Sequence, residues 1–362
     1  MTSKARELAN LGNAYSDGAL SNRNLVINGA MQVAQRGTSF TSPSNIYTLD
    51  RWFSTDNTGA SVTVSQDSDA PDGFTNSAKI TVNTADTSLA TNSVCLLRQN
   101  IEGVNFSQCG FGSGSAKDVT ISFWVKSSIT GQYSVAINNA AYDRSYVAGY
   151  TISSANTWEY KSVKITGDTS GTWLNSFSIG AAVHFPVAVE AGKITSGGAW
   201  TSGFNYGITG QVNFVGTTGA TFQITGVQLE VGDTATPFEH RSYGDELASC
   251  QRYFEIREWD GENTRIGMGY CDSTTSMLVT IPYLVTKRAN SPTFTATGTA
   301  NIRSQTTGTN RNISSGSIAM STGANKDNAV LSLQGLSGGV GDGQGGQIAF
   351  VDAGSLQFDA EL

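Results

Sequence analysis

The chain has 362 residues, of which 41 are glycine and only 14% are charged, and its formal net charge is −7. This length predicts about two domains, each able to bury a core, and glycine-rich turns beside ample Val, Ile, Phe, Tyr and Trp are typical of an all-β protein. The acidic balance, with no visible Lys/Arg cluster, argues against nucleic-acid binding. No apolar run approaches about eighteen residues and no signal-peptide pattern is present, so membrane insertion is not expected.

The apolar pattern divides the chain into four predicted segments. Residues 1–22 are expected to form a short helical or extended anchor that orders against a partner or another copy of itself. A frayed tail is the alternative. The remaining segments are an antiparallel jelly-roll β-sandwich over 23–240, a linker helix over 241–254, and a second, smaller β-domain over 255–362.

Short strand patterns separated by turn residues fill the predicted sandwich, at intervals usual for that fold. The first is Asn24–Gly37, with a break at Gly29. The others are Ala60–Ser65, Ala78–Val82, Cys95–Ile101, Val119–Ser127, Gln132–Asn138, Arg144–Ser153, Trp158–Thr166, Ser176–Val183, Gln211–Val215 and Thr221–Val231. No helix-length amphipathic run interrupts them, which favours an antiparallel sandwich.

The stretch Thr221–Phe254 marks the boundary between the two predicted bodies. Apolar and polar residues alternate up to Val231 with one phase slip at Gly226, which predicts a half-buried strand with a bulge. A short helix is predicted over Glu246–Phe254, because three apolar residues there fall on one face.

The second body is predicted to begin with a hairpin. Tyr253–Trp259 and Thr264–Tyr270 flank the turn signal Asp260-Gly261. Further predicted strands are Ser276–Val285, Pro292–Ala296, Ala300–Ser304, Gly316–Met320, Ala329–Leu333 and Gln347–Asp352.

The residue pattern does not favour catalysis. His184, in an apolar run, is predicted to be a hydrogen-bonded core histidine, and His240 is assigned to an ion cluster with Glu239 and Arg241. Neither completes a Ser-His-Asp or zinc pattern. The densest acidic group, residues 255–262, is explained as the solvated edge of the predicted hairpin. Carboxylates weighed as a glycosidase pair are Asp50, Asp143, Glu159, Glu190, Glu230, Glu255, Glu258, Asp260 and Glu262.

The four cysteines, Cys95, Cys109, Cys250 and Cys271, are widely spaced. Buried, inert thiols are favoured, with a Cys95–Cys109 bridge as the alternative. No cofactor is expected. A structural calcium ion stays open, because scattered carboxylates and carbonyls can bind calcium without any diagnostic spacing.

Several motifs resemble one family. They are NLVINGAMQVAQRG, YTLDRWF, VTISFWVKSS, NTWEYKSVKITGDTSGTW, GVQLEVGDTATPFEHRSYGDELASCQRYF and IPYLVTKRANSPTFTA. Over roughly residues 24 to 296 the chain resembles the carbohydrate-binding-module-like jelly rolls of tail fibres and other virion appendages of tailed bacteriophages, including cyanophages. The resemblance implies a virion structural protein, commonly a trimer, that contacts surface glycans or decorates the particle.

Glycan binding usually depends on exposed aromatic rings beside polar groups, because sugars present both C–H patches and hydroxyls. Trp52, Trp124, Trp158 and Trp173 lie in strand patterns and are predicted to be core residues. The glycan-binding candidates are Tyr142, Asp143, Arg144, Tyr146, Tyr150, Trp200, Tyr206 and Trp259, with ordinary sandwich packing as the alternative for each.

We therefore expect a non-enzymatic tail fibre or similar appendage subunit, located on the virion after assembly in the host cytoplasm. The expected partners are two further copies in a homotrimer, other virion proteins at the N-terminal segment, and host surface polysaccharide. Two alternatives stay open: a head or tail decoration protein that binds no glycan, and a polysaccharide depolymerase or deacetylase.

Overall fold

The computed structural model describes residue 4 and residues 22–260, 264–304, 310–314, 318–335, 343–350 and 353–362. The chain forms two compact units, the first ending at Glu246 and the second covering Leu247–Glu361. The predicted anchor lies outside the described residues, apart from positions 4 and 22. None of the helices in the described ranges is long and apolar enough to cross a membrane.

The first unit is a jelly-roll β-sandwich of two antiparallel sheets. Its strands are β1 Ser39–Thr41, β2 Ile46–Tyr47, β3 Phe53–Asp56, β4 Ser61–Asp67, β5 Ser77–Thr84, β6 Val94–Glu102, β7 Val119–Ser127, β8 Gly131–Asn139, β9 Arg144–Ile152, β10 Glu159–Ile165, β11 Ile179–Val189, β12 Ile194–Thr195, β13 Trp200–Ser202, β14 Gly207–Ile208 and β15 Thr221–Val231. One sheet runs β1-β4-β5-β15-β7-β10 and the other β13-β9-β8-β11-β6-β3-β2, while β12 and β14 form a small parallel pair. The predicted all-β class is confirmed.

The sandwich core lies between these two sheets. Val64 and Phe123 point into it from the six-stranded sheet, and Leu97 and Phe185 point into it from the seven-stranded sheet. Alternate residues of a strand face opposite sides, so this core uses one face of each sheet. Short helices occur in the connections: α1 Gly103–Phe106 and the 3₁₀ turns Ser107–Cys109, Ala191–Lys193 and Phe214–Gly216.

Strand β15 lies in the middle of the six-stranded sheet, between β5 and β7. The predicted bulge is confirmed: the register shifts between Thr225 and Gln228, and Gly226 has φ +61°. The expectation of a half-buried strand is wrong, because every residue from Phe222 to Glu230 is buried. The face of β15 that points away from the core is therefore also covered.

On that face Gln228 and Glu230 contact Thr236, which follows the strand. The segment that follows Arg23 lies beside β15 at its bulge. It is not the predicted strand, because its hydrogen bonds go to the bulge of β15 instead of forming a regular ladder. The Leu25 amide donates to the Leu229 carbonyl at 2.9 Å, and the Val227 amide donates to the Gly29 carbonyl at 2.9 Å. A Cβ at Gly29 would overlap the Val227 carbonyl oxygen, so this close approach requires glycine.

A second strand prediction in the first unit is also wrong. Over Gln211–Val215 the structure has one isolated bridge at Gln211 and the start of a 3₁₀ turn at Phe214. Gln211 instead uses its side chain to tie neighbouring loops, accepting from Ser134 Oγ at 2.6 Å and donating to the Pro186 carbonyl at 3.1 Å.

The helix α2 spans Tyr243–Gln251, inside the predicted linker segment 241–254, and it begins and ends three residues earlier than the apolar run Glu246–Phe254 predicts. Ser242 explains the early start. Its Oγ accepts the Asp245 amide at 3.2 Å and donates to the Asp245 carboxylate at 2.6 Å, a reciprocal cap on the first turn.

The second unit is also built of antiparallel strands. They are β16 Phe254–Asp260, β17 Thr264–Cys271, β18 Ser276–Pro282, β19 Thr293–Thr297, β20 Thr299–Ser304, β21 Asn310–Ser314, β22 Ile318–Met320, β23 Asn328–Gln334, β24 Gly345–Phe350 and β25 Ala353–Asp359. The predicted β16–β17 hairpin is wrong: β16 pairs with β25 in the sheet β16-β25-β19, and β17 lies in the sheet β21-β20-β24-β17-β18-β23-β22. Residues 261–263 of the predicted tip lie outside the described residues.

A buried ion cluster lies beneath these strands. Glu255, predicted to be on a solvated edge, is instead fully buried, and its carboxylate is 2.6 Å from Lys287 Nζ and 2.8 Å from Arg257 Nε. The four cysteines are all buried and none forms a disulfide, so Cys95 and Cys109 are not bridged in this structure.

Candidate functional site

One row of side chains crosses the outer face of the seven-stranded sheet. Tyr47 lies opposite Phe53, Phe53 opposite Arg98, and Arg98 opposite His184. Directly opposed residues project to the same face. This face points away from the sandwich core, because Leu97, the neighbour of Arg98, lies in that core.

The loop between β13 and β14 covers one end of this row. Its Tyr206 ring lies 5.0 Å from the His184 ring and 4.3 Å from the Phe204 ring, centroid to centroid. Phe204 in turn lies 4.1 Å from Tyr142, which sits in the β8–β9 turn with φ +54°. Two half-buried rings, Tyr142 and Phe204, therefore stand at the surface above a buried histidine and tyrosine.

Two cations lie against these rings. The Arg98 guanidinium carbon is 4.2 Å from the Phe53 ring centroid, and Arg98 Nη1 donates to the Tyr142 hydroxyl at 3.2 Å. Lys193 Nζ is 5.8 Å from the Phe204 ring centroid. Within the described part of the chain, neither cation forms a salt bridge. The result is a chain of contacts in which the Tyr142–Phe204 pair of rings has Arg98 at one end and Lys193 at the other. We call Phe53, Arg98, Tyr142, Lys193 and Phe204 the ring–cation row.

Several buried polar atoms on this face lack a hydrogen-bond partner among the described residues. They are both ring nitrogens of His184, Oδ1 of Asn100, Oδ1 of Asn138 and Nε of Arg98. Asn100 lies two residues after Arg98 on β6, so the two side chains point to the same face. On β8, Asn138 lies two residues after Ala136, which is directly opposite His184. All four side chains therefore share the outer face. Buried polar groups are nearly always paired in native proteins. Their concentration on one face makes this face the candidate site.

Burial fixes the charge state of this face. It lowers the pKa of His184 well below the ordinary 6.5, with a further contribution from Arg98, so the imidazole is neutral at pH 7. Burial also raises the pKa of Tyr206, which stays a neutral phenol. The charge of the ring–cation row at neutral pH therefore comes from Arg98 and Lys193.

The eight predicted glycan-binding residues separate into three groups. Tyr142 and Tyr206 belong to the face just described, although Tyr206 is buried and supports the surface rings from below. Asp143 is exposed beside Tyr142 and accepts a hydrogen bond from the Asn139 amide at 2.6 Å.

Arg144 and Trp200 lie elsewhere in the first unit. Arg144 donates from Nε and Nη2 to the buried Asp168 carboxylate at 2.8 and 2.7 Å, so its guanidinium has a structural role. Trp200 is half-buried and donates to the Thr166 carbonyl at 2.7 Å.

Tyr146, Tyr150 and Trp259 are corrected from candidate sites to core residues. The Tyr150 ring lies 5.0 Å from the Phe123 ring in the sandwich core, and Tyr146 is buried in the same core. Trp259 lies in the core of the second unit. A sugar ring needs an open aromatic face, and these side chains have none.

The structure also corrects three predictions about aromatic residues and histidines. Trp124 and Trp158 are half-exposed on the six-stranded sheet instead of core residues. His184 is buried and faces away from the sandwich core, and no described residue hydrogen-bonds its ring nitrogens as predicted. His240 stacks 5.2 Å from Phe74, while its neighbours Glu239 and Arg241 form the ion pair.

The outer face of the six-stranded sheet carries a second aromatic group. Trp124 lies 5.4 Å from Tyr160, whose side chain is 47% exposed. The polar groups beside it are paired with one another: Lys126 pairs with Asp69, which also accepts from Trp158 Nε1 at 3.1 Å. This group lacks the unpaired charges of the ring–cation row.

The residues that sequence reasoning missed are Phe53, Arg98, His184, Lys193 and Phe204. Arg98 had one usable signal, since it is the single charge in an apolar strand pattern, CLLRQNI. A charged side chain is rarely buried in such a strand unless it has a partner. The described residues contain no cluster of three or more His, Cys, Asp or Glu side chains that could hold a metal ion.

No protein-family model matches this chain, and no curated protein matches it. Among solved structures, it is similar to the enzymatically active domain of tailspike protein 4 of bacteriophage CBA120, with 16% identity, a TM-score of 0.32, and coverage of 58% of this chain and 22% of that one. It is also similar to the family 11 carbohydrate-binding module of a cellulosomal cellulase of Clostridium thermocellum, with 15% identity, a TM-score of 0.28, and coverage of 55% and 95%. This chain thus spans about a fifth of the tailspike domain's length.

Proposed function

We propose that this protein binds carbohydrate, without catalysis, on the outer face of the seven-stranded sheet. The observation that carries the proposal is the ring–cation row, with unpaired polar atoms beneath it. Aromatic rings accept the C–H face of a sugar, and nearby polar and charged groups bind its hydroxyls. Tyr142 and Phe204 supply the rings, and Arg98 supplies donors beside them.

The positions of three of the nine carboxylates considered as a glycosidase pair support binding without hydrolysis. Glycosidases need two carboxyl groups that are free to act on one bond. Here Asp50 is buried and accepts from Gln35 at 2.6 Å, while Glu230 accepts from Thr236 Oγ1 at 2.6 Å. Glu255 is held in the ion cluster of the second unit. These groups act as structural acceptors.

Affinity electrophoresis of the full-length protein tests the binding face. The gels contain alginate, polygalacturonate, xyloglucan or a mixed-linkage β-glucan, one polysaccharide per gel. We expect retardation in at least one gel, and at least about tenfold weaker binding by Tyr142→Ala and by Phe204→Ala, since each variant loses a ring that would stack on sugar. The matched control is Tyr160→Ala, which removes an exposed ring from the other sheet.

Two results would contradict this proposal. One is that no polysaccharide retards the protein. The other is that Tyr160→Ala weakens retardation as strongly as Tyr142→Ala, which would place the binding surface on the six-stranded sheet.

We further propose that the protein is a virion component, a tail fibre or similar appendage subunit that acts as a homotrimer. The support is the resemblance carried by the motif GVQLEVGDTATPFEHRSYGDELASCQRYF. Weak contacts at single sites would then be multiplied by avidity. Antibody labelling of intact virions in the electron microscope should decorate the tail, and sedimentation should give three times the chain mass. Virions that the antibody does not label would contradict the virion location. A monomer in sedimentation would contradict the homotrimer.

A further inference from the structure

The two cations of the ring–cation row form no salt bridge among the described residues, whereas several other positive charges of the first unit do. Elsewhere, Lys79 pairs with Asp67 at 2.9 Å, Lys161 with Glu159 at 2.6 Å and Lys164 with Asp118 at 2.6 Å. Carboxylates are abundant, with 29 Asp and Glu against 22 Lys and Arg. A chain so rich in acids leaves Arg98 and Lys193 unpaired among the described residues.

Arg98 is unpaired at a position where that is costly. Its side chain is half-buried, its Nε is buried without a hydrogen-bond partner in the described residues, and its neighbours are an aromatic ring and a phenol hydroxyl. A partly desolvated guanidinium is stabilised by an anion more than one in water. Its planar fork also matches a carboxylate better than it matches a neutral hydroxyl.

The two cations flank one pair of rings. Arg98 contacts Tyr142, Lys193 lies against Phe204, and Tyr142 and Phe204 touch each other at 4.1 Å between centroids. A sugar stacked on this pair would therefore have a positive charge on either side. An uncharged glycan would only accept hydrogen bonds from the two cations, whereas a glycan with repeated negative charge would also neutralise them.

We infer that the ligand is an acidic polysaccharide containing uronic acid, whose carboxylates are bound by Arg98 and Lys193. The inference rests on the proposed carbohydrate-binding function and specifies its ligand class. The protein as a whole carries a net charge of −7 and repels polyanions at long range. Binding of a uronate polymer must therefore come from a local site and not from overall charge.

The test compares each acidic polymer with its own neutral form. The full-length protein is titrated calorimetrically with alginate, polygalacturonate and hyaluronan, and with the same polymers after their carboxylates are reduced to alcohols. We expect at least one acidic polymer to bind. Its reduced form should bind at least about tenfold more weakly, because a charge-assisted hydrogen bond is lost. Arg98→Gln and Lys193→Gln should each reproduce most of that loss.

Matched controls separate specific recognition from general electrostatics. Lys79→Gln and Lys126→Gln remove the same charge from the six-stranded sheet and should leave the affinity unchanged. Thermal unfolding verifies that each variant is folded, and Lys193→Gln gives an independent test if Arg98→Gln is unstable.

Three outcomes would overturn the inference. Equal binding of the acidic and reduced polymers, dependent on Tyr142, would leave carbohydrate binding intact but remove acid specificity. If Lys79→Gln weakens binding of the acidic polymer as much as Arg98→Gln does, binding depends on general charge and not on a local site. No binding to any polymer in either set, or to the neutral glucans, would reject both the inference and the proposed function.

Discussion

Lowering the pH from 7.5 to 5.0 should destabilise the folded first unit through one side chain, His184. The ring is fully buried, and burial together with Arg98 lowers its pKa well below the ordinary 6.5. In the unfolded chain the imidazole regains its ordinary pKa and binds a proton as the pH falls below about 6.5. The unfolded state then holds more protons than the folded state, so stability falls with the pH.

The size of this effect follows from the unfolded-state pKa. At pH 5.0 an ordinary histidine in the unfolded chain is almost fully protonated, and this proton binding stabilises the unfolded state. The folded state keeps His184 neutral and gains no such stabilisation. The difference amounts to about 2 kcal/mol of unfolding free energy. Asp50 acts in the opposite direction, because burial raises its pKa and folding then favours its protonated form as the pH falls. That contribution is common to wild type and to a histidine variant, so it cancels in their difference.

Urea unfolding followed by tryptophan fluorescence measures the effect at pH 7.5 and 5.0. Five of the six tryptophans lie in the first unit, so the signal reports mainly on it. His184→Gln should lose about 2 kcal/mol less than the wild type between the two pH values. His240→Gln, which replaces the exposed histidine, should behave as the wild type does. Identical pH dependence of His184→Gln and the wild type would refute the reasoning.

Three further predictions concern packing, a buried charge and the thiols. Gly29→Ala should lower the free energy of unfolding of the first unit by at least about 2 kcal/mol in urea, because the added Cβ would overlap the Val227 carbonyl oxygen. Gly114→Ala, at an open position, should have little effect. Glu255→Gln should lower the unfolding free energy of the second unit by about 3–5 kcal/mol, because it leaves Lys287 buried without its carboxylate; an unchanged denaturation midpoint would contradict this. All four thiols should resist Ellman's reagent in the folded protein and react after unfolding, since they are buried and free; fewer than four in urea would indicate a disulfide.

The sequence predicts those parts of the fold that local patterns encode. The bulge at Gly226 is visible as a phase slip in the alternation of β15. The hairpin expected around residue 260 fails, because its turn signal is local, whereas the true partner of β16 is β25, about a hundred residues later. Pairing over such distances leaves no mark in a single sequence.

The candidate site was predictable only where it lies in loops. Tyr142 and Tyr206 stand out there because aromatic residues in polar turns are unusual. Tyr146 and Tyr150 mislead, because residues 145–148 of β9 are buried on both faces and alternation there does not show which face is the outer one. Arg98 and His184 meet only through the pairing of β6 with β11, which local pattern does not reveal.

The position of β15 has a consequence for synthesis on the ribosome. Leu229 on this strand bonds to Asn24, 205 residues earlier, and both β5 and β7 need β15 as a neighbour. All the other strands of the sandwich are made before it, so two sheet edges stay unpaired until the end of the unit is translated. Contacts over such sequence separations make folding slow, and open edges invite aggregation. The six-stranded sheet of the nascent unit therefore cannot be completed before β15 has been synthesised.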